Sequence, residues 1–333
     1  MNKLQSVIFQ EIQRTGPITV KRFMELALYH PLYGYYKSQT VIGKKGDYIT
    51  APELTQAFGE LLALWMIDLW QRLGAPPLVQ IVELGPGKGG MMQDILRMAC
   101  KFPLFFKRLS VYLLEVSPVL KSYQKDHLKD YPVYWVDNLS EVPGERITFF
   151  FANEFFDALP IQQHVKFENE WQDRLIGEKG GRLHYLQTGE IKESCEDYSV
   201  YMKEINTRLL NNKGGALIID YGDFIENDER MGDTLQALSC HRYADILKYP
   251  GEQDLTHHVN FRSLISFLDQ KRLNLSLTEQ GDFLQALGLE LWIEKLCKGG
   301  DSGTIMNLKA AAARLISPQE MGKLFKVLAV ESL

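Results

Sequence analysis

Three features of the sequence predict an α/β fold built on a mostly parallel sheet. Short, continuously apolar runs recur along the chain: VQIVEL (79–84), SVYLLEV (110–116), ITFFFA (147–152) and GALIIDY (215–221), with helix-length segments between them. Strands that are apolar on both sides belong to parallel sheets covered on both faces. The first run opens into a glycine cluster, VELGPGKGG (82–90), and charged or amide residues follow the ends of the later runs. In an open α/β sheet, ligands bind beyond those carboxyl ends.

Residues 1–75 read as helical. Leu4, Ile8 and Ile12 fall at helical spacing, and Thr15-Gly16-Pro17 ends that helix. A second helix is expected from Thr19 to Leu28 and a strongly apolar third from Glu53 to Leu73. Between them lies a tyrosine- and glycine-rich loop, 29–52, too long and too aromatic to be an ordinary connector. Beyond the first strand, helices are expected at about 90–101 and 118–128, and further strands at 132–136 and 325–330. Residues 161–187 alternate like hairpin strands around Glu168-Asn169-Glu170, and 223–260 are polar and glycine-containing. Both read as insertions. The predicted organisation is a helical cap and lid loop over 1–75, then a ligand-binding domain over 76–333 interrupted at about 161–190 and 223–260.

Gly85, Gly87 and Gly90 satisfy G-x-G-x-x-G, a pattern shared by nicotinamide, flavin and S-adenosylmethionine binders. Two details favour the last. Glu83 precedes the turn, where a carboxylate would repel a pyrophosphate but attract an ammonium group. Glu115 stands 30 residues beyond Gly85, whereas a dinucleotide fingerprint places its acid about 20 residues on. A carboxylate there still accepts two hydrogen bonds from a ribose diol. Asp137 and Asn138 follow the third strand; Asp137 can accept from an adenine amino group, or the pair only turns the chain. Asn153 and Glu154 follow the fourth.

The chain has 333 residues, with 37 Lys+Arg against 42 Asp+Glu and a formal net charge of −5. That balance argues against a nucleic-acid partner. Cys100, Cys195, Cys240 and Cys297 are scattered, so neither a zinc site nor a disulfide framework is expected. No apolar stretch approaches the ~20 residues of a membrane span. A cytoplasmic location is the expectation, with the mitochondrial matrix as the equivalent for a processed eukaryotic protein.

Six segments, taken together and in order, resemble the MidA-type methyltransferases: GDYITAPELTQAFGELLALW (46–65), VELGPGKGGMMQDILR (82–97), LLEVSP (113–118), ANEFFDALPIQQ (152–163), IIDYG (218–222) and DLTHHVNF (254–261). The resemblance implies a class I, Rossmann-like, mostly parallel seven-stranded sheet with a helical N-terminal extension. It implies S-adenosyl-L-methionine as cofactor, S-adenosyl-L-homocysteine as product, and protein-arginine methylation giving symmetric dimethylarginine on a subunit of respiratory complex I, the NADH dehydrogenase. A homodimer stays open. Departures from the pattern are Lys88 for arginine, Gly90 for threonine, His257 for a small residue and Asn260 for aspartate.

On this reading Glu83, Gly85, Pro86, Gly87, Glu115, Val116, Ser117, Asp137, Asn138 and Asn153 form the cofactor site. Glu154 and Asp157 are placed to orient a cationic guanidinium by paired hydrogen bonds. Asp47 and Tyr48, with Glu53, are further candidates from the lid loop, and His258 is a candidate for the released proton. Three other functions fit less of the pattern: a non-catalytic assembly chaperone, a dinucleotide-dependent oxidoreductase, and a small-molecule or lipid methyltransferase.

Overall fold

The computed structural model describes residues 2–37, 50–225, 230–239 and 242–333. The chain forms two compact units. One, the insertion unit, comprises Met1–Tyr48, Phe156–Tyr201 and Asp223–Ser266; the other, the sheet unit, comprises Ile49–Phe155, Met202–Gly222 and Phe267–Leu333. Among the described residues, no helix is long and apolar enough to cross a membrane.

Seven strands carry the path of the main sheet: β1 Val79–Leu84, β2 Leu109–Leu114, β3 Val133–Val136, β4 Ile147–Asn153, β5 Gly214–Asp223, β6 Asn274–Glu279 and β7 Phe325–Ser332. Their order is β6-β7-β5-β4-β1-β2-β3. β1 to β5 are mutually parallel, and β7 runs antiparallel to both β5 and β6. The chain steps outward from β1 to β2 and β3, then returns to lay β4 on the other side of β1. That reversal opens a crevice at the carboxyl ends of β1 and β4, where such sheets take their ligands. This is the order of a class I methyltransferase sheet. β6 was not expected from the sequence, although its alternating leucines, Leu275 and Leu277, carry the period of an edge strand.

The apolar helix Ala57–Arg72 is expected in an N-terminal cap but belongs to the sheet unit. Twelve of its residues are buried, far more than one stripe, because it is covered on several sides. Trp65 meets Phe149 and Phe151 of β4 edge-on with ring centroids at 6.5 Å. On β5, a Cβ at Gly215 would lie 2.7 Å from Leu69 and 2.8 Å from Trp65, so glycine there lets the helix sit close to the strand. On the opposite side Gly59 admits helix Gly90–Ala99, and buried Glu60 accepts from Trp292 Nε1 at 2.7 Å and Arg97 Nε at 3.2 Å. The expected single helix is broken at Thr55, whose hydroxyl accepts the Ala57 amide at 3.2 Å.

In the insertion unit, helix Lys3–Thr15 is capped by Asn2 and helix Val20–Tyr29 by Thr19, whose side chains accept the first-turn amides of Gln5 and Arg22. The expected hairpin is two hairpins. Gln162–Phe167 pairs with Glu170–Asp173 through the left-handed pair Glu168 and Asn169, and Leu175–Lys179 pairs with Arg182–Tyr185 through Gly180 and Gly181. Both pairs have positive φ at the two turn positions, which suits the twist of a tight hairpin. The first hairpin joins Ile191–Ser194, and the second joins Ile18–Thr19.

The β4–β5 pairing yields a stability test. Gly214 has φ +125°, and a Cβ there would stand 2.1 Å from the Thr148 carbonyl oxygen, a backbone atom with no room to withdraw. Gly214→Ala should lower unfolding stability by roughly 3 kcal/mol or more in a urea titration. A loss below about 1 kcal/mol would contradict the placement of this strand.

Candidate functional site

The β1 turn is built by backbone that only glycine adopts cheaply. Gly85, Gly87 and Gly89 have φ of +63°, +53° and +82°. The Gly85 amide donates to Leu114 O at 3.1 Å, fastening the turn to the end of β2, and the Gly89 amide donates to Pro86 O at 2.8 Å. A Cβ on Gly85 would strike Phe155 Cδ2 at 2.7 Å, whereas one on Gly87 or Gly90 would meet nothing within 4 Å. The surface of the turn at Gly87 and Gly90 is therefore open to a ligand, while Phe155 closes it at Gly85.

Glu83, the penultimate residue of β1, is buried, and its Oε2 has no hydrogen-bond partner among the described residues. Burial, with the neighbouring Glu115 charge added to it, pushes its carboxyl up to about 8. Glu115, just past β2, is also buried and also raised by burial. Its Oε1 accepts the Ser117 amide at 2.8 Å, and its Oε2 accepts Gln124 Nε2 at 3.2 Å. The Val116 amide also bonds to this carboxylate, and acceptor capacity is left for a hydroxyl. Ser117 is buried and caps helix Pro118–His127 by accepting the Leu120 amide, while Val116 is exposed.

Asp137, past β3, is exposed and ion-paired with Lys121, and its own amide donates to Glu141 Oε1 at 3.1 Å; Asn138 opens the short 3-10 turn Leu139–Glu141. Asn153 ends β4. Its Nδ2 donates to Glu154 Oε1 at 3.1 Å, and its buried Oδ1 has no partner among the described residues. Glu154 has φ +51°, a left-handed conformation that costs energy for a residue with a Cβ, and its amide donates to Ile219 O at 2.9 Å. Strain of this kind persists where the surroundings impose it, and here the chain leaves the sheet beside the β1 turn.

Asp157 lies in the insertion unit and is buried; its carbonyl accepts the His257 amide at 3.1 Å. Around it stand two tyrosines of the 29–52 segment. Tyr29 donates to Ala158 O at 2.9 Å and Tyr36 faces Asp254 Oδ1 at 3.4 Å, with the two rings 5.6 Å apart. Burial raises both phenols well above their usual range, and the charges of Asp254 and Asp157 add to it. His257 is buried with both ring nitrogens near carbonyls, of Leu159 at 3.1 Å and His258 at 3.2 Å, and burial outweighs those carbonyls, pushing it down to about 4. It is a neutral clamp. His258 is half-buried and lowered by burial and Arg230, so it is neutral near pH 7 and a weakened base. It lines a small hollow with Cys195, Tyr198 and Arg230.

Asp47 and Tyr48 fall outside the described residues. Glu53, a candidate for the acceptor side, pairs its Oε1 with Lys88 Nζ at 2.7 Å, and Lys88, one of the departures from the family pattern, is thereby tied to the segment that leads into the apolar helix. Gln124 is the residue that sequence reasoning missed in the cofactor region: a glutamine inside an amphipathic helix carries no motif signal, and only the fold brings it beneath the glycine turn. The buried orphan oxygen of Glu83, the remaining acceptor capacity of Glu115 and the open glycine surface together suit a ligand carrying an ammonium group and ribose hydroxyls.

Comparison with known proteins agrees. A family model described as an S-adenosyl-L-methionine-dependent methyltransferase matches residues 61–187 and 178–277. The chain is 32% identical over 362 residues to "Protein arginine methyltransferase NDUFAF7, mitochondrial" of Danio rerio, covering 96% of this chain and 85% of that protein. It is 31% identical to the Homo sapiens protein of the same name, covering 97% and 82%. A Burkholderia thailandensis crystal structure containing S-adenosyl-homocysteine superposes with a TM-score of 0.85 at 24% identity, covering 98% of this chain and 91% of that one, and so shares the fold. The chain belongs to the MidA-type family of S-adenosylmethionine-dependent methyltransferases.

Proposed function

We propose that the chain methylates an arginine of a protein acceptor, forming symmetric dimethylarginine on a subunit of respiratory complex I. The observation that carries the acceptor class is the similarity, along nearly the whole chain, to relatives named protein arginine methyltransferases. The complex I subunit and the symmetric product rest on the MidA resemblance. Bound cofactor supplies an electrophilic methyl group carried on a sulfonium. The protein's part is to align and to neutralise. Glu83 receives the cofactor's ammonium group, Glu115 its ribose hydroxyls, and the turn at Gly85, Pro86 and Gly87 lets the chain approach closely.

A guanidinium is cationic at any working pH and its charge is delocalised. Glu154 accepts two of its N–H groups, which concentrates positive charge away from the third nitrogen and holds that nitrogen in line with the methyl. The new C–N bond forms as the C–S bond breaks, the electron pair leaves with sulfur, and the nitrogen gives up a proton. Within the insertion unit, Asp157 and Asp254 beside Tyr29 and Tyr36 are of the sign that suits a cationic acceptor, and neutral His258 is the candidate for the released proton.

Two outcomes test these roles. Glu154→Gln should retain S-adenosylmethionine binding by calorimetry while radiolabel transfer to the acceptor falls by about 10²- to 10⁴-fold, with the wild-type label mapping to arginine. Undiminished transfer, or label on another residue type, refutes the assignment. Glu83 gives a pH signature. With a carboxyl near 8, it is protonated in the free protein, and pairing with an ammonium group expels that proton. Affinity should therefore rise between about pH 6 and 7.5, by at most about tenfold per pH unit, with proton release seen as buffer-dependent binding enthalpy. Glu83→Gln should abolish the release; affinity falling across that window in the wild type would contradict the role.

A further inference from the structure

Gln124 lies on helix Pro118–His127 and is fully buried. Its side-chain amide makes three hydrogen bonds to three different parts of the sheet unit. Nε2 donates to Gly87 O at 2.7 Å and to Glu115 Oε2 at 3.2 Å, and Oε1 accepts Trp135 Nε1 at 2.8 Å. The orientation of the amide is not arbitrary. An indole N–H can only donate, so the atom facing Trp135 must be the oxygen, and both N–H groups are thereby turned toward Gly87 and Glu115. The aliphatic stem adds a steric limit, since a Cβ on Gly89 would meet Gln124 Cγ at 3.4 Å. One buried side chain thus links the glycine turn after β1, the acid after β2 and the indole of β3.

We infer that Gln124 is a positioning residue for the cofactor's ribose: it fixes the Glu115 carboxylate relative to the Gly87 backbone so that the diol meets a carboxylate already in place. The inference rests on the assignment of Glu115 to the ribose. Glu115 is buried beside a second acid, Glu83, and a carboxylate in that setting needs donors to stay ionised and fixed. The Ser117 amide holds one oxygen from the acid's own strand end. Gln124 holds the other, from a separate helix, and holds the glycine turn with the same nitrogen. Removing the amide leaves Glu115 held only by the Ser117 and Val116 amides of its own strand end and unties it from the glycine turn, before any group that touches the methyl or the acceptor is altered. The effect should fall on cofactor binding and not on the chemical step.

Two substitutions separate the amide's donors from its bulk. Gln124→Met keeps the length of the side chain and removes all three bonds. Gln124→Glu keeps the shape and the bond from Trp135 but offers no donor when ionised and one in place of two when protonated, so it cannot hold Gly87 and Glu115 together. In both, Kd and KM for S-adenosylmethionine should rise by about 10- to 100-fold, while kcat at saturating cofactor stays within about threefold of wild type. The decisive measurement is the preference for S-adenosylhomocysteine over its analogue lacking the 2′-hydroxyl. Wild type should prefer the ribose form, Glu115→Gln should lose the preference, and both Gln124 variants should lose most of it, which general loosening of the fold would not produce. A Gln124 variant that binds the cofactor as wild type does, or keeps the wild-type preference, overturns the inference. If Gln124→Met fails to fold, Gln124→Glu decides alone. If Glu115→Gln keeps the preference, the ribose role of Glu115 falls and this inference falls with it, whereas arginine methylation is untouched.

Discussion

Parallel pairing of β1 with both β2 and β4 sets where every candidate ligand group stands. In that register Glu83 lies across from Leu113 on one side and Phe151 on the other, so the ends of the three strands arrive together. Gly85, Glu115 and Asn153 then sit within a residue or so of their strand ends, at the reversal of strand order between β1 and β4. The Gly85–Leu114 bond carries the β1–β2 ladder one step into the turn. A one-residue slip of β1 would put Glu83 on the opposite face and bring an apolar neighbour into its place.

The electrostatics follow from that geometry. Two carboxylates, Glu83 and Glu115, end adjacent strands and are both buried, which disfavours ionising both. The structure treats them unequally. Glu115 is given donors from Ser117 and Gln124, whereas one oxygen of Glu83 has none among the described residues. The free protein therefore keeps its second negative charge neutralised by a proton until a cation replaces it. A site arranged in this way is selective for a ligand that brings positive charge to β1 and neutral hydroxyls to β2, which is the opposite of what a pyrophosphate would need.

Much of this was legible in the sequence because continuous apolar runs and glycine turns are local signals. The strands β1 to β5 and β7, the capped helices and the acids at strand ends were read from residues close together in the chain. What escaped depended on contacts between distant segments. Nothing in ELTQAFGELLALW says that the helix packs on β4 and β5, since a helix apolar on all sides is equally at home in any deep core; Gly215, far along the chain, is what admits it. β6 was missed because an edge strand of mixed polarity has little composition to mark it. Glu53 and Lys88 lie 35 residues apart, and only folding pairs them. Gln124 reads as an ordinary helical glutamine until the helix is laid beneath the glycine turn.

The strained backbone at Glu154 ties the two halves of the reading together. A left-handed glutamate is unfavourable in isolation, yet its amide completes the β4–β5 ladder with Ile219, and its neighbour Asn153 donates to its carboxylate. Both bonds belong to the sheet unit and are present before any acceptor arrives. The residue is therefore tied to the same pairing that ends β4. For a displacement reaction this matters more than raw affinity: a nucleophile and a methyl group react when they are in line, and a carboxylate fixed to the sheet that also carries the cofactor turn shares one frame of reference with it. Mild overall acidity contributes little by comparison. The charges at the strand ends are the ones the backbone holds still.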